Sequence, residues 1–369
     1  MKSALLLIVL SSLCLSPALC KSAENPDKIE IGWIGPLSGS SAVLGIDAVE
    51  AVRIAFDEMN ADPAYRGPKL QLTVQDDQYT ASKTLSAYNF LVGQRGLKVI
   101  FIYTYSGLMA LAERAQKDGV LLLDPLDCDE DLAALPENTI CIAKLTEDLA
   151  RVPARHAIGH SIMPAALMYI ENDAFPVKMA SVTRKLIRDA GQSLIVDEGY
   201  QGGMTDFRSI LLKARQGGAK SLFLYGYAEI GLILKQLKET GFNPQVYSMA
   251  NVLSPDIKAV AAAGLDKTIF SNWKAQRTGR YNALIEKLIK RRGVPPVLEV
   301  STVPSYDTAL ILAEALSAGA SIKEHFYSLR NYPGVSGPIT VDPDGVTRSF
   351  RISLHQISGD SIIDIVEEQ

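Results

Sequence analysis

Histidine and cysteine are both scarce, with four of each among 369 residues. The chain contains no C-x-x-C, H-E-x-x-H, G-x-x-x-x-G-K or G-x-S-x-G pattern. Those absences remove the usual signatures of redox, zinc, phosphate-loop and serine-nucleophile chemistry. Gly32, Gly35 and Gly39 follow the first strand-like run at the wrong spacing for a dinucleotide fingerprint. His156 and His160 are spaced to share a helix face, as two metal ligands would be. Gly159 lies between them and no third ligand can be named, so they read as solvated or capping side chains. No metal, cofactor or enzymatic turnover is expected. Positive charge is not in excess either: the formal net charge is −4 and the pI about 5.7. A nucleic-acid partner is therefore not expected.

Hydrophobic residues make up 47% and charged ones 21%. This is an ordinary globular balance in a chain long enough for two cores. The first twenty residues differ. MKSALLLIVLSSLCLSPALC has one lysine, an apolar stretch from Ala4 to Leu15, and small residues Ala18 and Cys20 at the positions a signal peptidase reads. It reads as a secretory signal cut near Cys20. A membrane anchor would need a longer apolar run, and a lipid-anchor signal would want a small residue where Leu19 stands. Two cysteines fall within this segment, leaving Cys128 and Cys141. In an oxidising compartment two such residues more often pair than stay free, provided their Cα atoms come within reach.

The remaining pattern alternates strands and helices. Lys28–Gly35 reads as a strand, followed by a turn and a long helix over 42–60. Leu70–Val74 is the next strand and Ser82–Leu91 the next helix. Lys98–Tyr103 is a strand, Tyr105-Ser106-Gly107 a turn, Leu108–Lys117 a helix, and Val120–Leu123 a strand buried on both faces. Ile140–Ala143 is a further strand, and 146–158 a helix interrupted or tilted at Pro153. The alternation restarts with strands at 165–170, 193–197, 221–225, 245–248 and 268–273, separated by helices. Further helices fall at 279–292 and 301–318. Strands at 337–341, 349–357 and 362–366 surround the Asp342–Gly345 turn. Two consecutive series of this kind give an α/β fold with two doubly wound, Rossmann-like lobes.

Parallel strands joined by right-handed crossovers open their following turns at one sheet edge, where α/β folds bind ligands. Two turns stand out there. Tyr105-Ser106-Gly107 opens a helix, so its backbone N–H groups and hydroxyl suit an anionic group; the alternative is an ordinary cap. The turn after Leu123 carries Asp124, Asp127, Asp129, Glu130 and Asp131. Asp127-x-Asp129-x-Asp131 begins like a calcium loop, but Leu132 and Asn138 stand where Gly and the bidentate Glu belong. The acids therefore read either as a solvated, helix-capping turn, or as a turn from which Asp127 faces the cleft and meets a cationic ligand group. Asp129, Glu130 and Asp131 read as solvated. A hydroxyl cap and an acid on adjacent turns would together fit a zwitterion.

Several short stretches resemble one known group. They are Ile31-Gly32 to Pro36-Leu37-Ser38-Gly39, Asp57-Glu58-Met59-Asn60, Asp76-Asp77, Tyr105-Ser106-Gly107 with Asp124-Pro125, and Gly203-Met204-Thr205-Asp206-Phe207. Tyr225-Gly226-Tyr227, Leu234–Gly241, Ser305-Tyr306-Asp307-Thr308-Ala309 and Gly337-Pro338-Ile339 with Asp342–Gly345 complete the set. In this order they resemble the type I periplasmic solute-binding proteins of ATP-binding-cassette (ABC) importers, in the leucine/isoleucine/valine- and amide-binding group. The resemblance implies two lobes joined by a three-crossing hinge and closing on a small-molecule ligand. It divides the chain at about 28–146 with 275–345 and 147–274 with 346–369. It implies a periplasmic protein that hands an amino acid, amide or related compound to a membrane permease and its ATPase. A ligand sensor partnering a receptor is the alternative. It points to Leu44, Tyr105, Ser106, Gly107, Asp127, Cys128, Phe175, Tyr227 and Ala250 as ligand contacts. The chain departs from the group at Leu126-Asp127-Cys128, at Phe175-Pro176, and at Met249-Ala250-Asn251, where an acid is usual.

Overall fold

The computed structural model describes residues 27–365. The expected signal segment and its cleavage near Cys20 lie outside the described residues. Strand β1 (Lys28–Gly35) leads through a short 3-10 turn (Ala42–Leu44) into helix α1 (Ile46–Ala61). The long helix expected over 42–60 is thus divided at Gly45, where a Cβ would lie 2.1 Å from the Pro36 carbonyl oxygen. There follow β2 (Lys69–Asp76), α2 (Ala81–Tyr88), β3 (Val99–Ile102), α3 (Tyr105–Asp118), β4 (Leu121–Asp124) and β5 (Thr139–Cys141). These strands form one parallel sheet in the order β2-β1-β3-β4-β5. Every residue of β3 and β4 is buried, which is why they read as unbroken apolar runs.

The second half repeats the plan. Helix α4 (Thr146–Gly159) precedes β6 (Ala165–Ile170), α5 (Ala174–Asp189), β7 (Leu194–Tyr200), α6 (Arg208–Gln216), β8 (Ser221–Tyr225), α7 (Glu229–Glu239), β9 (Gln245–Met249), α8 (Pro255–Ala261) and β10 (Ile269–Trp273). Its parallel strands run β7-β6-β8-β9-β10, the same order as the first sheet. Helix α4 continues unbroken through Pro153. Leu149, Ala150, Ala154 and Ala157 of α4 are buried, and that packing outweighs the one N–H that proline withholds. Helix α5 begins at Ala174, because the Asp173 carboxylate accepts from the Phe175 N–H (2.9 Å) and caps it.

After β10 the chain returns to the first sheet with α9 (Gly279–Arg292), α10 (Glu299–Ser317) and α11 (Ile322–Tyr327). Helix α10 packs along α1 and is buried all round from Val300 to Ala313, as an interior helix must be. A small ribbon, β11 (Tyr332–Gly334) with β12 (Gly337–Ile339), follows. The chain then crosses again to place β13 (Ile352–Ser358) and β14 (Ser361–Ile365) antiparallel at the edge of the second sheet, beside β10. The molecule is thus two doubly wound lobes joined by three crossings.

In both sheets the strand order reverses beside the first strand of the series, β1 or β6. The turns on either side of such a reversal leave a crevice at the carboxyl ends of the strands. That geometry fixes where a site can form.

Candidate ligand-binding site

A cavity of about 50 Å³ lies between the lobes. Its lining comes from the carboxyl ends of strands in both sheets: Leu44 after β1, Tyr79 after β2, Leu126 and Asp127 after β4, and Lys144 after β5. From the second sheet come Phe175 after β6, Tyr227 after β8, Ala250 and Asn251 after β9, and Ser271 and Asn272 of β10. Leu149, Met249, Leu298 and Val300 complete an otherwise apolar wall.

Of the residues singled out in the sequence, the structure brings Leu44, Asp127, Phe175, Tyr227 and Ala250 to this cavity. It does not bring Tyr105, Ser106, Gly107 or Cys128 to the lining. Tyr105-Ser106-Gly107 is the first turn of α3 rather than a free turn. The Tyr105 hydroxyl donates to Asp129 (3.0 Å), and its ring meets Phe175 edge-on. Gly107 packs so closely on α2 that a Cβ would strike Thr84. Ser106 is half-buried on the same turn. Cys128 is buried and bonded to Cys141, with Cα atoms 5.5 Å apart.

The acidic turn differs most from its expected character. Asp127 and Lys144 are both about 3% exposed and form an ion pair; the ammonium also donates to the Leu126 carbonyl. Asp127 therefore brings its own cation to the cavity instead of waiting for one on a ligand. Asp129 is not solvated: it is fully buried and bound to Lys178 of α5 (3.0 Å). Lys178 also reaches Asp131 (2.5 Å) and Glu147 (3.1 Å), so this cluster joins the acidic turn to the second lobe. Glu130 pairs with Arg348 (2.7 Å). Burial and the nearby Asp129 push the Glu147 carboxyl up. Among the described residues no group of His, Cys, Asp and Glu side chains is arranged to hold a metal ion. His156 bonds the Tyr247 hydroxyl (2.8 Å) and stacks on His160.

Sequence reasoning missed Lys144, Tyr79, Asn251 and Ser271. A lysine directly after the apolar run Ile140–Ala143 was the available signal for the first, since charges at buried strand ends require partners. Tyr79 has a positive φ of 59° and lies edge-on to Tyr227, with ring centroids 5.6 Å apart. The Tyr227 hydroxyl donates to Asp173 (3.3 Å). Burial pushes both phenols well above their ordinary range, helped by neighbouring carboxylates. Burial also raises Asp173, with the Asp127 charge adding to it. The phenols are thus held as neutral hydrogen-bonding groups. Two buried polar atoms of the lining, Asn251 Oδ1 and Ser271 Oγ, have no hydrogen-bond partner among the described residues. Such atoms carry a desolvation cost of about 1–3 kcal/mol each until a partner arrives. Apolar walls with a few convergent polar groups are what a small-molecule site requires.

A sequence profile of the family described as "Periplasmic binding protein" matches residues 28–358. The chain is 23% identical over 311 residues to a Leu/Ile/Val-binding protein homolog 2 of Brucella abortus, covering 84% of this chain and 83% of that protein. Its fold is similar to that of a leucine-binding protein from Thermotoga maritima, with TM-score 0.83, 17% identity and coverage of 92% and 98% of the two chains. It is also similar to an ABC-transporter solute-binding protein from R. palustris solved with benzoate, with TM-score 0.79, 14% identity and coverage of 92% and 95%.

Proposed function

Because the chain belongs to the periplasmic binding protein family, and so binds a small ligand outside the cytoplasm, we propose that it captures a small amphipathic solute between its lobes and delivers it to an ABC permease. The observation that carries this reading is the interlobe cavity, built from strand-end residues of both sheets. Leu126, Leu149, Phe175, Met249, Leu298 and Val300 would receive the apolar part of the solute. The Lys144–Asp127 pair, Asn251 and Ser271 would receive its polar part. An amino acid, an amide or a related compound fits that division; among the similar proteins one is a leucine-binding protein and another was solved with benzoate. The pre-formed ion pair argues for a ligand of small net charge, since either charge sign would compete with a partner already in place. The reading includes no turnover of the solute and a periplasmic location after cleavage near Cys20.

Titration calorimetry with branched-chain amino acids, aliphatic amides and aromatic carboxylates tests it. At least one class should bind with a dissociation constant near micromolar, about 8 kcal/mol of binding free energy. Phe175→Ala should weaken that binding roughly tenfold, about 1.4 kcal/mol. An unchanged affinity would remove Phe175 from the wall.

A further inference from the structure

The inner cavity is small, yet it has a neighbour. A second chamber of about 260 Å³ lies outward from it in the same cleft. Leu44, Tyr227 and Asn251 line both chambers and so stand between them, where a neck would lie. The outer chamber has a fixed wall. Asp47, 3% exposed, accepts from the Val297 N–H (3.0 Å) and pairs with Arg292 (2.9 Å), which ties the 292–297 segment to α1. Val43, Ile257, Val294 and Val297 give the chamber apolar surface, and Val294 is 50% exposed. Arg292, Asp47 and Asp256 give it charge of both signs.

The neck supplies the chemistry. The Asn251 amide nitrogen is used by the Gly226 carbonyl (2.8 Å), which leaves its Oδ1 as a buried acceptor without a partner among the described residues. A donor on the ligand, an N–H or O–H, would satisfy it in place of water. The inner chamber, at about 50 Å³, has room for a few waters. A larger solute must therefore extend through the neck.

Resting on the solute-binding reading, we propose that the ligand is longer than a free amino acid: an elongated amide, of dipeptide length, with one end beside Lys144 and Asp127, an internal N–H at Asn251, and the far end in the outer chamber. The bland alternative is that the outer chamber is only the mouth of the cleft.

Thermal-shift and calorimetric measurements can separate these. The probes are leucine and hexanamide as short compounds, leucyl-leucine and N-hexanoyl-leucine as long amides, and the ester counterpart of N-hexanoyl-leucine. The long amides should bind at least about tenfold more tightly than the short compounds and than the ester. Val297→Trp, which fills the outer chamber, should abolish that advantage while leaving short compounds unaffected. Val294→Trp, at an exposed position, is the second variant should the first fail to fold. Short compounds that bind as well as long ones, with no response to either variant, would overturn the inference while sparing the solute-binding reading. Absence of binding by every probe would likewise overturn the inference, and only the further absence of binding by aromatic carboxylates would count against the solute-binding reading.

Discussion

Asp124 ends β4 in full burial, its Oδ1 accepting from the Leu126 N–H (2.8 Å) and the Asp127 N–H (3.1 Å). Burial first, and then the negative Asp127, push its carboxyl up to about 8. In the unfolded chain the same group titrates at about 3.9. Between those values the folded protein holds a proton that the unfolded chain has released. Stability contributed by this group is therefore present in acid and lost as pH rises from about 4 to about 8. Asp124→Asn retains an acceptor oxygen but has no proton to take up. Urea unfolding at pH 5 and pH 8 should show the variant gaining on the wild type as pH rises. A constant difference between the two proteins would mean that Asp124 is ionised in the fold.

At the scale of elements, the turn after β4 is held by more than its own residues. The Cys128 N–H donates to the Lys144 carbonyl (3.0 Å), the Thr146 N–H donates back to the Cys128 carbonyl (2.6 Å), and the disulfide joins Cys128 to Cys141 at the end of β5. These links hold Asp127 and Lys144 in one place. For a cysteine separation of 13, losing the cross-link should cost about 3 kcal/mol, read as a lower denaturation midpoint under reducing conditions. An unchanged midpoint, with two thiols titrated, would assign the turn's order to its backbone and ion-pair contacts alone.

This element also marks what a sequence can carry. Strands β3 and β4 and helix α3 were legible because burial on both faces or on one stripe leaves a periodic trace. The place of Asp127 at the carboxyl end of β4 was legible from strand order, but the same argument put Tyr105-Ser106-Gly107 beside the ligand, and that stretch folds into α3 away from the lining. Asp129 was misread as solvated because its partner, Lys178, is 49 residues away, and nothing local records that distance. Likewise, Ser271 and Asn272 sit within a strand whose sequence does not say which face meets the other lobe. The φ of Tyr79 leaves no pattern at all.

At the scale of the molecule, the two sheets share a strand order but not a continuity. Helices α4–α8 and strands β6–β10 form one uninterrupted run between Thr146 and Trp273. The first lobe is split: α1, near the start of the chain, is covered by α10, which begins at Glu299. Its core cannot close until that distant helix arrives, and long-range closure is slow. Pulse-labelled hydrogen exchange during refolding should therefore find the amides of β6, β8 and β9 protected before those of α1. The opposite order would count against this account. During synthesis the core around α1 would then wait for α10, as the edge of the second sheet waits for β13 and β14. The buried α10 would then act as a timer, leaving the apolar face of α1 uncovered until a helix more than two hundred residues further on has been made.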